Sequence, residues 1–204
     1  MTAATLRFVR LTGATGSGKT ALLRRLVILG AQALDLEALA GHRGSIFGAM
    51  AGITQPTPAQ WLERISRYLD ACDSARPIWV EDKGSFLGRL TIPEPLQQQL
   101  QSADVVEVRS SMDLRIAHLA SEYVSGSTNE LLKALKKLRS RLPPGDGERA
   151  VALLARGQVD EAIRLVLPYY DAAYAVRGKE RVLGTVDFSP VTLGACARQL
   201  LEMS

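Results

Sequence analysis

The residues best suited to chemistry are GATGSGKT, Gly13 to Thr20, which fit G-x-x-x-x-G-K-[ST] in full. Gly13, Gly16 and Gly18 permit backbone conformations that a side chain would block, so successive N–H groups can close around an anion. Ala14, Thr15 and Ser17 complete that cradle at the positive end of the following helix. Lys19 adds a point charge for terminal phosphates, and the Thr20 hydroxyl is placed to bind Mg²⁺. The expected ligand is a di- or triphosphate group, as in ATP or GTP. A second candidate is PIWVED, a hydrophobic run ending in Glu81 and Asp82. Either acid could serve Mg²⁺ beside the glycine loop, directly or through water, and the sequence leaves both open.

The third segment, DLEALAGHRGSIFG, runs from Asp35 to Gly48. Asp35 and His42 are candidate acid/base groups, the latter because an imidazole titrates near neutrality. Arg43 is a candidate phosphate clamp, since its planar fork suits bidentate oxygen recognition. With Lys19 these make up the candidate catalytic set. A small-molecule kinase using Asp35 or Glu37 near an acceptor hydroxyl, or an ATP/GTP-binding module without turnover, satisfies the same residues.

These segments must be held by an α/β framework. Leu6 to Leu11 reads as a strand entering the glycine loop, and Ala21 to Leu29 as the helix leaving it. Further strands are expected at Ala31 to Leu36, Pro77 to Val80, Asp104 to Val108 and Arg181 to Val186. A helix is expected from Pro58 to Ala71, with proline in its first turn. Strands alternating with helices predict a P-loop NTPase-like, mostly parallel sheet covered on both faces. Residues 1–204 read as one domain, with a helical subdomain over about 112–177 inserted before the last strand and lying over the sheet's carboxyl edge.

Composition narrows the setting. The chain has 204 residues, 47% hydrophobic, enough for a substantial core. The charge-free stretch from Gly44 to Leu62 is interrupted by Gly, Pro, Gln and Thr, so no membrane span is expected. The first ten residues lack the apolar core of a secretory signal, and Cys72 and Cys196 lie far apart with no metal-ligand spacing. A cytoplasmic protein without disulfide framework or zinc site is expected. The net charge of +4 is uneven, because Glu130 to Arg141 carries Lys133, Lys136, Lys137, Arg139 and Arg141 against one acid. Leu131, Leu135, Leu138 and Leu142 form a stripe that would dock such a helix, leaving its cations free for a phosphate backbone.

GATGSGKTALLRRL, DLEALAGHRGSIFG, QPTPAQWLERI, WVEDKGSFLGRLTIPEPL and LPYYDAAYAVR occur in that order. Together they resemble the P-loop half of bacterial tRNA 2-selenouridine synthase. The resemblance implies a transferase acting on the wobble uridine of tRNA. It would exchange the sulfur of 2-thiouridine for selenium from selenophosphate, through an S-geranyl intermediate made from geranyl diphosphate. Geranyl diphosphate or selenophosphate then joins ATP and GTP as a candidate phosphate-bearing ligand of the loop, and tRNA becomes the partner of the basic run. Tyr169, Tyr170 and Tyr174 are candidates to stack on an extruded base. Family members carry an N-terminal rhodanese domain. This chain starts almost at its first strand, so three expectations stand: it works with a separate rhodanese-domain protein, it performs the geranyl step alone, or it is a divergent relative with another substrate.

Overall fold

A computed structural model of the chain describes residues 6–42, 54–124, 135, 142–174 and 181–203. The expected Arg43 and the basic residues Lys133, Lys136, Lys137, Arg139 and Arg141 lie outside the described residues. The chain divides into two compact units.

The first unit comprises residues 1–13, 19–109 and 179–204 and contains a five-stranded parallel sheet. Its strands are β1 (Phe8–Thr12), β2 (Gln32–Leu34), β3 (Ile78–Glu81), β6 (Asp104–Arg109) and β7 (Val182–Asp187), in the order β2-β3-β1-β6-β7. Chain order reverses at β1, the position where ligands of open α/β sheets approach the carboxyl ends of strands. Val9, Leu11 and Trp79 pack with Leu22, Leu23 and Leu26 of α1 (Lys19–Ile28) and with Ala197 and Leu200 of α8 (Leu193–Glu202). On the other face Phe8, Ile78 and Val80 pack with Trp61 and Ile65 of α3 (Pro58–Asp70) and with Leu96 and Leu100 of α4 (Glu94–Ser102). Both faces are covered, so β3 reads as a continuous apolar run up to Glu81, without visible alternation.

Local chemistry sets the element boundaries. Thr57 caps α3 by accepting from Gln60 N (3.3 Å), while Gln60 Oε1 accepts from Thr57 N (2.9 Å), a reciprocal capping box ahead of Pro58. The second strand ends earlier than its apolar pattern predicts. Asp35 accepts from Ala38 N (2.9 Å) and starts a short helix, α2 (Leu36–Ala40), where the sequence suggested a loop. Gly41 closes that helix at φ 60°, the left-handed conformation glycine adopts without a Cβ clash. After β3 a small hairpin, β4 (Phe86–Leu87) with β5 (Leu90–Thr91), buries Leu87 and Leu90 in the α3 layer.

The second unit comprises residues 14–18 and 110–178. Its described helices are α5 (Met112–Val124), α6 (Asp146–Ala155) and α7 (Val159–Tyr174). Ile116 and Leu119 of α5 pack on Leu167 of α7, with Met112 and Ile163 beside them. Leu135 and Leu142, two members of the expected leucine stripe, are both buried. Among the described residues no helix is long and apolar enough to cross a membrane.

Candidate phosphate site and its acidic partners

Strand alternation separates the two acids at the end of β3. Along this strand Ile78 and Val80 enter the α3 layer, whereas Trp79 enters the α1 layer. Glu81 therefore follows Trp79 toward α1, and Asp82 falls on the opposite side. Thr20, on the first turn of α1, donates from Oγ1 to Glu81 Oε2 at 2.6 Å. Asp82 Oδ1 instead accepts from Arg10 Nη1 at 2.9 Å, and its Oδ2 accepts weakly from Thr12 Oγ1 at 3.4 Å. The Arg10 and Asp82 side chains are both only 4% exposed. The sequence left the two acids equivalent; the geometry gives them different partners.

Glu81 belongs to a chain of charges. Its Oε1 accepts from Lys83 Nζ at 2.8 Å, and the same ammonium lies 2.6 Å from Glu37 Oε1 on α2. Burial would raise the Glu81 carboxyl, but Lys83 and Lys19, with hydrogen bonds from Lys83 and Thr20, hold it below the usual carboxylate range. Burial pushes Glu37 up, opposed by Lys83 and reinforced by the neighbouring Glu81. Burial alone would lower Lys83, yet the two carboxylates keep its ammonium firmly protonated, raised above the ordinary lysine value. Lys19, itself buried, donates from Nζ to the Gly13 carbonyl at 2.8 Å. Thr20 and Glu81 thus present hard oxygen atoms side by side, a donor set that fits Mg²⁺, which takes few protein ligands and completes its shell with water and phosphate. Among the described residues no group of three or more His, Cys, Asp or Glu could hold a metal ion.

In the second unit the loop residues Ala14 to Gly18 turn back on themselves, with Ser17 N donating to the Ala14 carbonyl at 3.2 Å. Gly16 and Gly18 have φ of 79° and 91°, a region that side chains rarely adopt. Ser17 is fully buried, and its Oγ has no hydrogen-bond partner among the described residues.

The remaining candidates sit as follows. Asp35 is the cap of α2 and lies 3.8 Å from Arg24 Nε. His42 follows the helix end, donates from its N–H to the Glu37 carbonyl (3.1 Å), and has an imidazole that burial shifts downward, toward the neutral form. Tyr169 and Tyr170 pack edge to face with centroids 5.6 Å apart. Lys83, Arg10 and Arg115 hold contacts that the sequence did not announce. Lys83 has one visible signal, its place directly after Glu81 and Asp82.

Residues 6–143 match the family of the tRNA 2-selenouridine synthase AAA domain. The chain belongs to this family. It is 32% identical over 205 residues to the tRNA 2-selenouridine synthase of Verminephrobacter eiseniae (strain EF01-2), covering 85% of this chain and 55% of that protein. It is 29% identical over 204 residues to the corresponding protein of Cupriavidus necator, covering 84% and 54%. The chain therefore spans about half the length of the curated relatives it matches. Among solved structures, the full-length tRNA isopentenylpyrophosphate transferase of Bacillus halodurans aligns over 98% of this chain and 97% of that one, with 11% identity and a TM-score of 0.47.

The family segment WVEDKGSFLGRLTIPEPL contains the hairpin turn at Gly88, where φ is +62°. A Cβ there would collide with the Gln55 amide and lie 2.7 Å from His42 Cδ2. Gln55 cannot yield freely, because Nε2 donates to the Leu87 carbonyl (2.9 Å) and Oε1 accepts from Arg89 N (3.1 Å). Gly88→Ala is therefore expected to cost about 1–3 kcal/mol of stability through the left-handed backbone and the overlap. A thermal melt checks this, and a variant with the melting temperature of the parent would contradict it.

Proposed function

We propose that this chain is the diphosphate-handling part of a tRNA-modifying transferase, acting on the 2-thiouridine of tRNA in the cytoplasm. Family membership supports the tRNA substrate. The observation that carries the chemistry is the Thr20–Glu81 contact beside Lys19, at the adjoining ends of β1–α1 and β3. The phosphate ligand of Gly13 to Thr20 is geranyl diphosphate on this reading. The C–O bond of the allylic diphosphate breaks, and its electron pair leaves with the diphosphate. A bond forms from the 2-thio sulfur to the geranyl carbon as the N3 proton of the 2-thiouridine ring leaves to solvent. The residues' task is to stabilise charge that grows on the departing diphosphate, which fixed N–H groups and a lysine do without reorganising.

Lys19 supplies the point charge, and the loop backbone of Ala14 to Gly18 supplies donors, joined by the Ser17 hydroxyl, which has no partner among the described residues. Thr20 and Glu81 would hold Mg²⁺, which when bound neutralises phosphate oxygens as a Lewis acid. Asp82, engaged by Arg10, serves the fold on this reading. The basic run from Lys133 to Arg141 is the proposed tRNA contact, and Tyr169, Tyr170 and Tyr174 the proposed stacking residues, on the strength of charge and residue type. His42 and Arg43 are assigned to the acceptor side. Exchange of the geranylthio group for selenium from selenophosphate, with a rhodanese-domain protein as partner, is the second step of the proposal.

The competing small-molecule kinase would ask Asp35 or Glu37 to take an acceptor proton. Asp35 already caps α2, and Glu37 is committed to Lys83. Equilibrium binding separates the two readings. Geranyl diphosphate is expected to bind at least about tenfold tighter than ATP in the presence of Mg²⁺, a difference of about 1.4 kcal/mol. Tighter binding of ATP would favour the kinase.

A further inference from the structure

Arg115 of α5 belongs to none of the sequence motifs, yet it is 6% exposed and fully engaged within the second unit. Its Nε donates to the Thr15 carbonyl of the glycine loop at 2.8 Å. Its Nη1 and Nη2 donate to Asp171 Oδ2 (3.0 Å) and Oδ1 (2.6 Å), a two-pronged fork. The helices bring these groups together by their periodicity. Ile163, Leu167 and Asp171 recur every fourth residue, so they share one face of α7. Ile163 and Leu167 pack against Met112, Ile116 and Leu119 of α5, and the next turn of that face delivers Asp171 to Arg115.

The consequence for the loop follows from peptide geometry. A trans peptide is planar, and its C=O and N–H point in opposite directions. No peptide bond of the described chain is cis. Fixing the Thr15 carbonyl on Arg115 therefore fixes the next N–H, that of Gly16, facing away from the guanidinium. Gly16 is pressed on the same helix, because a Cβ there would lie 2.9 Å from Leu119 Cγ and Cδ1 and 3.1 Å from the Arg115 carbonyl. The Thr15–Gly16 peptide is thus held from two sides.

We propose that Arg115 is a positioning residue for the phosphate loop, locked by Asp171, and that it sets the Thr15–Gly16 peptide so that its N–H is offered to a phosphate. The inference rests on the reading that the loop binds a diphosphate. Arg115 acts through the loop backbone, and Asp171 acts through Arg115. A lysine in its place has one ammonium and cannot span both the carbonyl and the two carboxylate oxygens in this planar arrangement.

The test uses the full chain and the variants Arg115→Lys, Asp171→Asn and their combination. Two quantities are measured: amide hydrogen exchange of the segment 13–20 without ligand, and affinity for inorganic pyrophosphate. Arg115→Lys is expected to speed exchange selectively in the loop and weaken pyrophosphate binding about tenfold, the loss typical of a charge-assisted hydrogen bond. Asp171→Asn should shift both in the same direction. The double variant should be no worse than Arg115→Lys by more than about twofold, because both residues act through one contact. Parental loop exchange and parental affinity in Arg115→Lys would overturn the proposal. Exchange accelerated equally throughout α5 and α7 would also overturn it, since that marks a packing role. Fully additive losses would remove Asp171 from the account. If the parent chain binds no pyrophosphate but loop exchange still accelerates in Arg115→Lys, the diphosphate reading fails while the positioning role stands.

Discussion

Lys19→Ala is expected to lower transfer to 2-thiouridine by about 10²- to 10³-fold, the usual loss when one preorganised donor to a developing oxyanion is deleted. The reason lies in where the lysine starts. Its ammonium is buried at the first turn of α1, donates to the Gly13 carbonyl, and helps hold Glu81 ionised. Exchanging a neutral carbonyl partner for phosphate oxygens gains a charge–charge interaction in a site shielded from water, where it is strong. The chain should still fold, because Lys83 remains to neutralise Glu81. Single-turnover product formation measures the effect, with the far-ultraviolet spectrum as the folding control. A loss below about threefold would mean that the lysine does not face the reacting phosphates.

The second large effect concerns stability. Arg10→Met or Asp82→Ala is expected to cost about 3–5 kcal/mol, because each breaks a buried ion pair by removing one of its charges. For a domain of this size that lowers the melting temperature by roughly 10 °C. Arg10 sits on β1, one register position from Leu11, which lies opposite Glu81. Its guanidinium reaches Asp82 on the face covered by the α3 layer. Glu81→Gln should behave differently. It keeps an acceptor for Thr20 and leaves Lys83 paired with Glu37, so it should lower the melting temperature by less than Asp82→Ala does, while transfer falls. Similar melting temperatures for Asp82→Ala and Glu81→Gln would contradict the separation of the two acids.

Much of this was legible in the sequence. Gly13 to Thr20 between a strand and a helix predicts the centre of a P-loop fold, and the five parallel strands lie where apolar runs placed them. The assignment of Glu81 and Asp82 was not legible. Alternation decides which acid faces α1, and a sheet covered on both faces hides alternation behind uniform hydrophobicity. The hairpin at Phe86–Leu87 and Leu90–Thr91 was not legible because two-residue strands carry no period. α2 was hidden because Asp35 lies within the apolar run Ala31 to Leu36 that predicts a strand, although its side chain is a helix cap. The helix Glu94–Ser102 did have a signal, Pro93 followed by Leu96 and Leu100 four residues apart. The Arg115–Asp171 fork spans 56 residues of sequence and depends on the packing of two helices, so no local pattern could announce it.

The central claim is that Gly13 to Thr20 handles the diphosphate of a prenyl donor during tRNA modification. Nucleoside mass spectrometry of 2-thiouridine tRNA, incubated with the chain and geranyl diphosphate, tests it most directly. The account predicts an S-geranyl-2-thiouridine nucleoside with the parent chain and its near absence with Lys19→Ala. Equal amounts of that nucleoside with both proteins, or none with the parent chain while ATP is consumed, would contradict it.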